Sequence, residues 1–299
     1  MRTMNTLAAI DIGSNAIRLL ISSLEPDSEG KKLRKVAFLR VPIRLGEDVF
    51  DGGTIGAAKE ACLNEAMRGF SHIMRAFEVR KYQAYATSAM REAANGAEVL
   101  EVVKAESGID VEIISGQKEA DIISEAALLG GALERARNYL FVDVGGGSTE
   151  LIVIAGGRKM AARSFRLGTV RALKDAVDPG EVSRCKCWLK EVRKEYPLLS
   201  LVASGGNINK IHKLLNKREG ETLGYSDIKT LYDTLKPMSY EERIRSFKMN
   251  PYRADVIVPA LKIYLTVSKL CRVQEIVVPK VGLVDAIQTL EIAGSASQF

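Results

Sequence analysis

Histidine is nearly absent: His72 and His212 are the only two in 299 residues, and each falls in a stretch with helical spacing. That argues against His-based metal centres and Ser-His-Asp triads. The four cysteines make no disulfide framework. Cys185 and Cys187 stand one residue apart, which is poor zinc-ligand spacing, so the reading is of reduced thiols and a cytoplasmic compartment. Aromatics make up only 6 % of the chain, so the interior must be built from Ala, Val, Ile and Leu. The sequence holds no G-x-x-x-x-G-K-[ST], no G-x-G-x-x-G and no G-x-S-x-G, which removes three common nucleotide and nucleophile motifs. Long apolar runs are lacking too. The best, Ala254–Leu270, is broken by Lys262 and Lys269 and reads as a buried helix, not a membrane span. Leu7–Ile10 is too short for a secretory leader.

What remains is an ordinary globular balance, 46 % hydrophobic and 27 % charged, in a length that fits about two domains. Lys and Arg number 43 against 37 Asp and Glu, a mild excess that favours anionic partners. The basic residues gather in four groups: Lys31, Lys32, Arg34 and Lys35; Arg184, Lys186, Lys190, Arg193 and Lys194; Lys210, Lys213, Lys217 and Arg218; Arg243, Arg245, Lys248 and Arg253. Any one group fits a solvated helix face, while three in one half fit a polyanion groove.

Strand and helix patterns alternate, which predicts an α/β fold. Strands are expected at Leu7–Ile12, Ala16–Ser23, Leu33–Leu45, Tyr82–Thr87 and Val111–Ile114. Helices are expected from Thr54 to about Glu78, with Leu63, Met67, Phe70, Met74 and Phe77 as a core stripe, at Gly96–Glu106, and at Gln117 to about Leu133. The pattern restarts with strands at Tyr139–Val144, Leu151–Ala155 and Lys159–Phe165. It then turns mostly helical, apart from Leu199–Ala203 and Glu275–Val278.

The restart is an internal repeat. Asp11-Ile12-Gly13-Ser14-Asn15-Ala16-Ile17-Arg18-Leu19-Leu20-Ile21 lies without a gap over Asp143-Val144-Gly145-Gly146-Gly147-Ser148-Thr149-Glu150-Leu151-Ile152-Val153. Each copy is an apolar strand ending in Asp, a turn of small residues, and a second apolar strand. Small residues let backbone N–H groups approach an anion, and an Asp beside such a turn can hold hydrated Mg²⁺. Two copies, one opening each half, point to two related lobes gripping successive phosphates.

These residues resemble the exopolyphosphatase and guanosine pentaphosphate phosphohydrolase (Ppx/GppA) family of the actin, Hsp70 and sugar-kinase superfamily. The matching segments are Ala9–Asn15, Ala86–Ala93, Ile113–Ala120 and Phe141–Glu150. Arg166-Leu167-Gly168 and Ala203-Ser204-Gly205-Gly206 are further echoes, in family order. The resemblance implies two actin-like (ribonuclease H-like) lobes with an interdomain cleft, residues 1–125 and 126–299, and a last helix at about 283–292 that packs back across the lobes. It implies Glu119 as the general base and Arg91 as a holder of phosphate oxygens. It implies Gly13, Ser14, Asn15, Gly145, Gly146, Gly147 and Ser148 as the phosphate loops, and Asp143, Glu150 and Asp11 around Mg²⁺. Ser115 misses the capping-box spacing to Glu119, so capping alone does not account for that glutamate. Asp143 and Glu150, seven residues apart across a turn, are expected on neighbouring strands.

Three departures stand out. Family members commonly carry Ser at Ala16 and an acidic residue at Lys118, and the stretch Val278–Ala286 differs from the family's C-terminal loop. The function implied is an Mg²⁺-dependent exopolyphosphatase releasing orthophosphate from inorganic polyphosphate. The alternatives are hydrolysis of guanosine pentaphosphate, a weakly active regulator binding polyphosphate or an alarmone such as guanosine tetraphosphate, and a sugar kinase of the wider fold group. The resemblance also implies a homodimer. Neither nucleic acid nor membrane is expected as a partner.

Overall fold

The computed structural model describes residues 6–27, 30–129, 134, 137–279 and 282–296. Its contacts divide the chain into one unit of residues 1–129 with 283–299 and another of residues 130–282.

The first unit opens with three antiparallel strands, β1 (Thr6–Ile12), β2 (Ile17–Asp27) and β3 (Gly30–Val41). There follow α1 (Leu45–Gly52), α2 (Ala57–Ala76), β4 (Lys81–Ala86), α3 (Ser88–Glu92), α4 (Gly96–Ser107), β5 (Glu112–Ile113) and α5 (Gly116–Leu129). The sheet order is β3-β2-β1-β4-β5, with β4 parallel to β1 and β5 parallel to β4. Successive strand residues face opposite sides. Ile10, Ile12, Ile17, Leu19 and Ile21 therefore share one face and form a core with Leu63, Met67, Phe70 and Met74 of α2. Asp11 and Arg18 lie on the other face.

The second unit repeats this plan. Its elements are β6 (Asn138–Val144), β7 (Thr149–Ala155), β8 (Arg158–Phe165), α6 (Thr169–Leu173), α7 (Pro179–Glu195), β9 (Leu199–Ser204), α8 (Gly206–Leu214), β10 (Leu223–Gly224), α9 (Tyr225–Leu235), α10 (Tyr240–Phe247), α11 (Pro251–Ala254), α12 (Ile257–Cys271) and β11 (Glu275–Val277). The sheet runs β10-β11-β9-β6-β7-β8, again three antiparallel strands followed by two parallel ones, with β10 added antiparallel at the edge. Two such sheets with their helices are the expected α/β, actin-like fold class. The apolar stretch beginning at Ala254 is indeed buried: α12 places Ala260, Leu261 and Tyr264 in the core. No helix among the described residues is long and apolar enough to cross a membrane.

Several expected boundaries move. The third strand ends at Val41, and Leu45 opens a separate helix, α1, whose Leu45 and Val49 are buried. Helix α2 starts after Gly56, not at Thr54, because the Gly56 N–H is held by Asp48 Oδ2 at 3.0 Å. Phe77 lies just past its end and is 37 % exposed, so it leaves the core stripe. Helix α5 is described to Leu129, and residues 130–133 of the expected helix lie outside the described residues. The division falls after residue 129, not 125. The last helix, expected at about 283–292, runs as α13 (Leu283–Ala296) and groups with the first unit.

The physical reason is a buried polar tie. Gln288, 1 % exposed on α13, donates to the carbonyls of Leu20 at 2.9 Å and Leu7 at 3.3 Å, and its Oε1 accepts from the Ser22 hydroxyl at 2.5 Å. Apolar contact would hold the helix to the sheet; these three bonds fix its register on β1 and β2.

Two outcomes follow. Gln288→Leu takes from the buried Ser22 hydroxyl its acceptor on α13 and from the Leu20 carbonyl a side-chain donor, at a cost of about 1–3 kcal/mol that a lowered urea midpoint will register. Burial pushes the Cys185 thiol up to about 12 and the Cys271 thiol up to about 11, whereas Cys62 and Cys187 are exposed. Mass spectrometry after iodoacetamide treatment of the folded chain at about pH 8 is expected to find Cys62 and Cys187 labelled, and Cys185 and Cys271 unlabelled.

Candidate active site

In the second unit the hairpin of β6 and β7 turns through Gly145–Ser148, closed by Gly145 N–H to the Ser148 carbonyl at 2.9 Å. The N-terminus of α6 backs this turn. Thr169 N–H donates to the Gly145 carbonyl at 3.0 Å, and the N–H groups of Val170 and Arg171 donate to Gly146 at 2.8 and 3.1 Å. The buried Arg171 donates from Nε to the Gly147 carbonyl at 2.9 Å. The loop's carbonyls are thus committed inward. Among the described residues, the N–H groups of Gly146, Gly147 and Ser148 donate to no other backbone carbonyl. A side chain at position 168 would destroy this packing, since a Cβ there would fall 2.2 Å from the Gly146 oxygen.

Antiparallel register puts Asp143 directly opposite Glu150, and Glu150 opposite Ser164. Like charges facing across strands repel unless something intervenes. Here Glu150, 1 % exposed, accepts on Oε1 from Ser148 Oγ at 2.7 Å and Ser164 Oγ at 2.8 Å. Asp143 is half-buried and also neighbours Ser204 at the end of β9. Beyond it the chain turns at Gly205, whose φ is 92° and where a Cβ would lie 2.4 Å from Asp143 Oδ1. Asn207 then donates to the Val144 carbonyl at 2.7 Å and accepts from Arg253 Nη1 at 3.2 Å. Burial first, and then the Asp143 carboxylate, hold the Tyr264 hydroxyl well above the ordinary phenol range, so it stays neutral.

The first unit builds a second copy. Gly13 N–H closes its turn on the Ala16 carbonyl at 3.2 Å, matching the Gly145 bond position for position in the repeat. The N-terminus of α1 backs it: Gly46 N–H donates to the Ser14 carbonyl at 2.9 Å and Arg44 N–H to the Asn15 carbonyl at 3.2 Å. Ser14 is buried, and its hydroxyl oxygen accepts from the Ala89 N–H of α3 at 3.2 Å. Asp11 sits where Asp143 does, but its cross-strand partner is Arg18, with which it forms a buried ion pair. Burial raises the Asp11 pKa, with Arg18 opposing that rise. Asn15 Oδ1 and Ser204 Oγ, one at each copy, are buried atoms with no hydrogen-bond partner among the described residues.

The carboxyl ends of β4 and β5 bring the remaining residues to the first copy, where open α/β sheets commonly bind ligands. Arg91, the fourth residue of α3, donates from Nη1 to the Ile114 carbonyl at 2.7 Å, directly before the turn into α5. Ser115 Oγ caps that helix on the Lys118 N–H at 3.1 Å. Glu119 is buried in the first turn. Lys118 points to Glu112 at 2.6 Å and lies 5.1 Å above the Tyr85 ring.

The structure therefore gathers Asp11, Gly13, Ser14, Asn15, Arg91 and Glu119 in the first unit. It gathers Asp143, Gly145, Gly146, Gly147, Ser148 and Glu150 in the second. Sequence reasoning missed Arg171, Ser164, Asn207 and Tyr264, which support the second copy from other elements; only the echoes around Gly168 and Gly205 signalled them. Some members of the basic groups of the second half are committed elsewhere: Arg184 pairs with Asp178 and Glu181, Lys217 with Asp227, and Arg243 donates to the Leu235 and Ala254 carbonyls. The stretch Val278–Ala286 lies partly outside the described residues, which omit 280 and 281. The two histidines have ordinary settings: His212 is buried against the Glu221 carbonyl at 3.0 Å, and His72 stands beside Arg75 on α2.

Two sheets that share a three-strand antiparallel meander followed by parallel strands, each with an acid and a small-residue loop at the end of its first strand, define an actin-like α/β protein. The model of the Ppx/GppA phosphatase family matches residues 26–287, and the chain belongs to that family. It is 27 % identical over 278 residues to a bifunctional 3-dehydroquinate synthase/phosphatase of Fusobacterium nucleatum, covering 84 % of this chain and 41 % of that protein. It is 26 % identical over 226 residues to a guanosine-5'-triphosphate,3'-diphosphate pyrophosphatase of Aeromonas salmonicida, covering 70 % and 43 %. The chain thus spans less than half the length of these curated relatives. The crystal structure of the Aquifex aeolicus Ppx/GppA family member superimposes with a TM-score of 0.78 at 28 % identity, covering 98 % of this chain and 99 % of that one.

Gly205→Ala should lower stability by about 2–3 kcal/mol, from a strained φ plus the collision with Asp143. Gly220 has φ 85° and nothing within 4 Å of a Cβ. Gly220→Ala should therefore cost only about 1 kcal/mol, and paired thermal melts give the difference due to Asp143.

Proposed function

We propose that the chain hydrolyses the terminal phosphoanhydride bond of inorganic polyphosphate and releases orthophosphate. The observation that carries this reading is the Gly145–Ser148 turn: α6 takes the carbonyls of Gly145, Gly146 and Gly147, while the N–H groups of Gly146, Gly147 and Ser148 donate to no backbone carbonyl among the described residues and suit an oxyanion beside Asp143. Phosphoryl transfer asks mainly for positioning and charge neutralisation, which such a nest supplies. In this reading Arg91 holds phosphate oxygens, and the Glu119 carboxylate takes a proton from the water that attacks the terminal phosphorus. The bond from that phosphorus to the bridging oxygen breaks, and the shortened chain leaves with that oxygen.

The donor set fits Mg²⁺ at the second copy. Asp143 and Glu150 face each other and Ser204 Oγ is a buried atom without a partner. Mg²⁺ needs one or two carboxylates, with water and phosphate oxygens completing its shell. Among the described residues no group of three or more acidic, His or Cys side chains gathers for a metal. Asp143, with Glu150 behind it, would hold the ion, which would neutralise phosphate charge. Asp11 is left out of this set, because its carboxylate is taken by Arg18.

The name of the Aeromonas relative supports a second reading, in which guanosine pentaphosphate is the substrate and loses its terminal 5'-phosphate. Competition between that nucleotide and polyphosphate for one site separates the two. The primary test is orthophosphate release from inorganic polyphosphate in Mg²⁺. Wild type should release it, and Glu119→Gln should lose about 10²–10⁴-fold in kcat while still binding the chain. Absence of release by wild type overturns the proposal.

A further inference from the structure

The two copies differ most in the row of side chains that runs across each sheet at the level of the aspartate. In the second unit the row is Ser164, Glu150, Asp143 and Ser204 on β8, β7, β6 and β9. In the first unit the corresponding row is Arg40, Arg18, Asp11 and Tyr85 on β3, β2, β1 and β4. Residues paired directly across strands share a face, so the first row sets two guanidinium groups beside one carboxylate.

Arg40 is the unexplained member. Its Nε and Nη2 are buried and have no hydrogen-bond partner among the described residues. The charged groups acting on it are Arg18 and Arg44, both cations, which with burial pull its pKa down to about 10. It therefore stays charged at neutral pH. Each neighbour has its own counter-ion: Arg18 pairs with Asp11, and Arg44 with Glu47 at 2.6 Å. Arg40 is half-buried, and enclosing two of its guanidinium nitrogens without a partner is costly, a cost that a bound anion would offset. The fold does not demand a base there, since Ser164 fills the corresponding place in the second unit. The row also adjoins the loop. Arg18 Nη1 lies 3.6 Å from where a Cβ would stand on Gly13, and Arg44 N–H holds the Asn15 carbonyl.

We infer that Arg40, with Arg18 beside it, is an anion subsite of the first unit that takes a non-reacting phosphate of the substrate chain. The inference deepens the reading above and rests on it for the identity of that chain. The planar guanidinium fork suits phosphate oxygens in a way that a lysine does not.

The test compares wild type, Arg40→Met, Arg40→Lys and the control Arg68→Gln, whose arginine sits on α2 beside Glu65 and Glu106. Pyrophosphate is titrated without Mg²⁺ at fixed ionic strength, and melting temperature is read with and without it. Arg40→Met should melt higher than wild type in anion-free buffer, because the unpaired charge is gone. It should lose most of the stabilisation by pyrophosphate, with Arg40→Lys intermediate and Arg68→Gln like wild type. In turnover of polyphosphate, Arg40→Met should raise KM about tenfold with kcat within twofold. Pyrophosphate affinity and KM both within twofold of wild type in Arg40→Met overturn the inference. So does a lower melting temperature of that variant without anion, which makes Arg40 a structural residue. If wild type releases no orthophosphate yet pyrophosphate binding depends on Arg40, the proposed hydrolysis fails and the anion subsite stands.

Discussion

A hairpin turn carries as many backbone acceptors as donors, so an anion cannot be met by donors alone unless the acceptors are taken away. Each copy of the repeat does this with the first turn of a helix. The orphan N–H groups that open α6 and α1 hydrogen-bond the carbonyls of the adjoining turn. The donors of the turn are left on its other side. This is why Gly168 matters although it lies outside the repeat: the carbonyl of Gly146 passes so close that only a hydrogen fits between them. The arrangement relies on backbone atoms, so it persists while the turn residues change from Gly-Ser-Asn to Gly-Gly-Gly.

On that shared backbone the side chains diverge in charge. The gapless repeat preserves the register, so Arg18 and Glu150 occupy one position in two settings. With arginine there, the aspartate is already neutralised, and the excess in the row is positive. With glutamate there, two hydroxyls serve the buried acid and the excess is negative. The first row thus carries an excess of positive charge and the second an excess of negative charge.

What could be read from the sequence follows from which signals are local. The repeat, the two hairpins and the opposition of Asp143 to Glu150 were legible, because alternation of apolar residues and a short turn fix a register within about ten residues. The row reaching Arg40 was not. Its alignment depends on where β3 returns beside β2, and that depends on the length and irregularities of the second hairpin. Helices α1 and α3 escaped because they are 8 and 5 residues long and neither is opened by a side-chain cap. The resemblance implied that the last helix packs back, but not the means: one buried amide, Gln288, ties it to the opening strands of the first unit. Ser115 Oγ caps the Lys118 N–H, one residue short of Glu119.

Lys118, where the family commonly has an acid, finds its explanation in the same row. Tyr85 neighbours Asp11, and Glu112 neighbours Tyr85 on β5, so the row runs on to an acid at its far end. Lys118 covers that end, pairing with Glu112 and lying over the Tyr85 ring. Its side chain is 43 % exposed and that of Glu112 55 %, so the pair adds little to stability. Its effect is on the distribution of charge. Glu112 would otherwise leave a carboxylate at the β5 end of the row, and Lys118 offsets it there. The positive excess of the first unit is then left at the β3 end with Arg40, where no acid of the protein answers it among the described residues. A lysine at position 118 therefore works with the basic row and not against the acidic one, which belongs to the other unit.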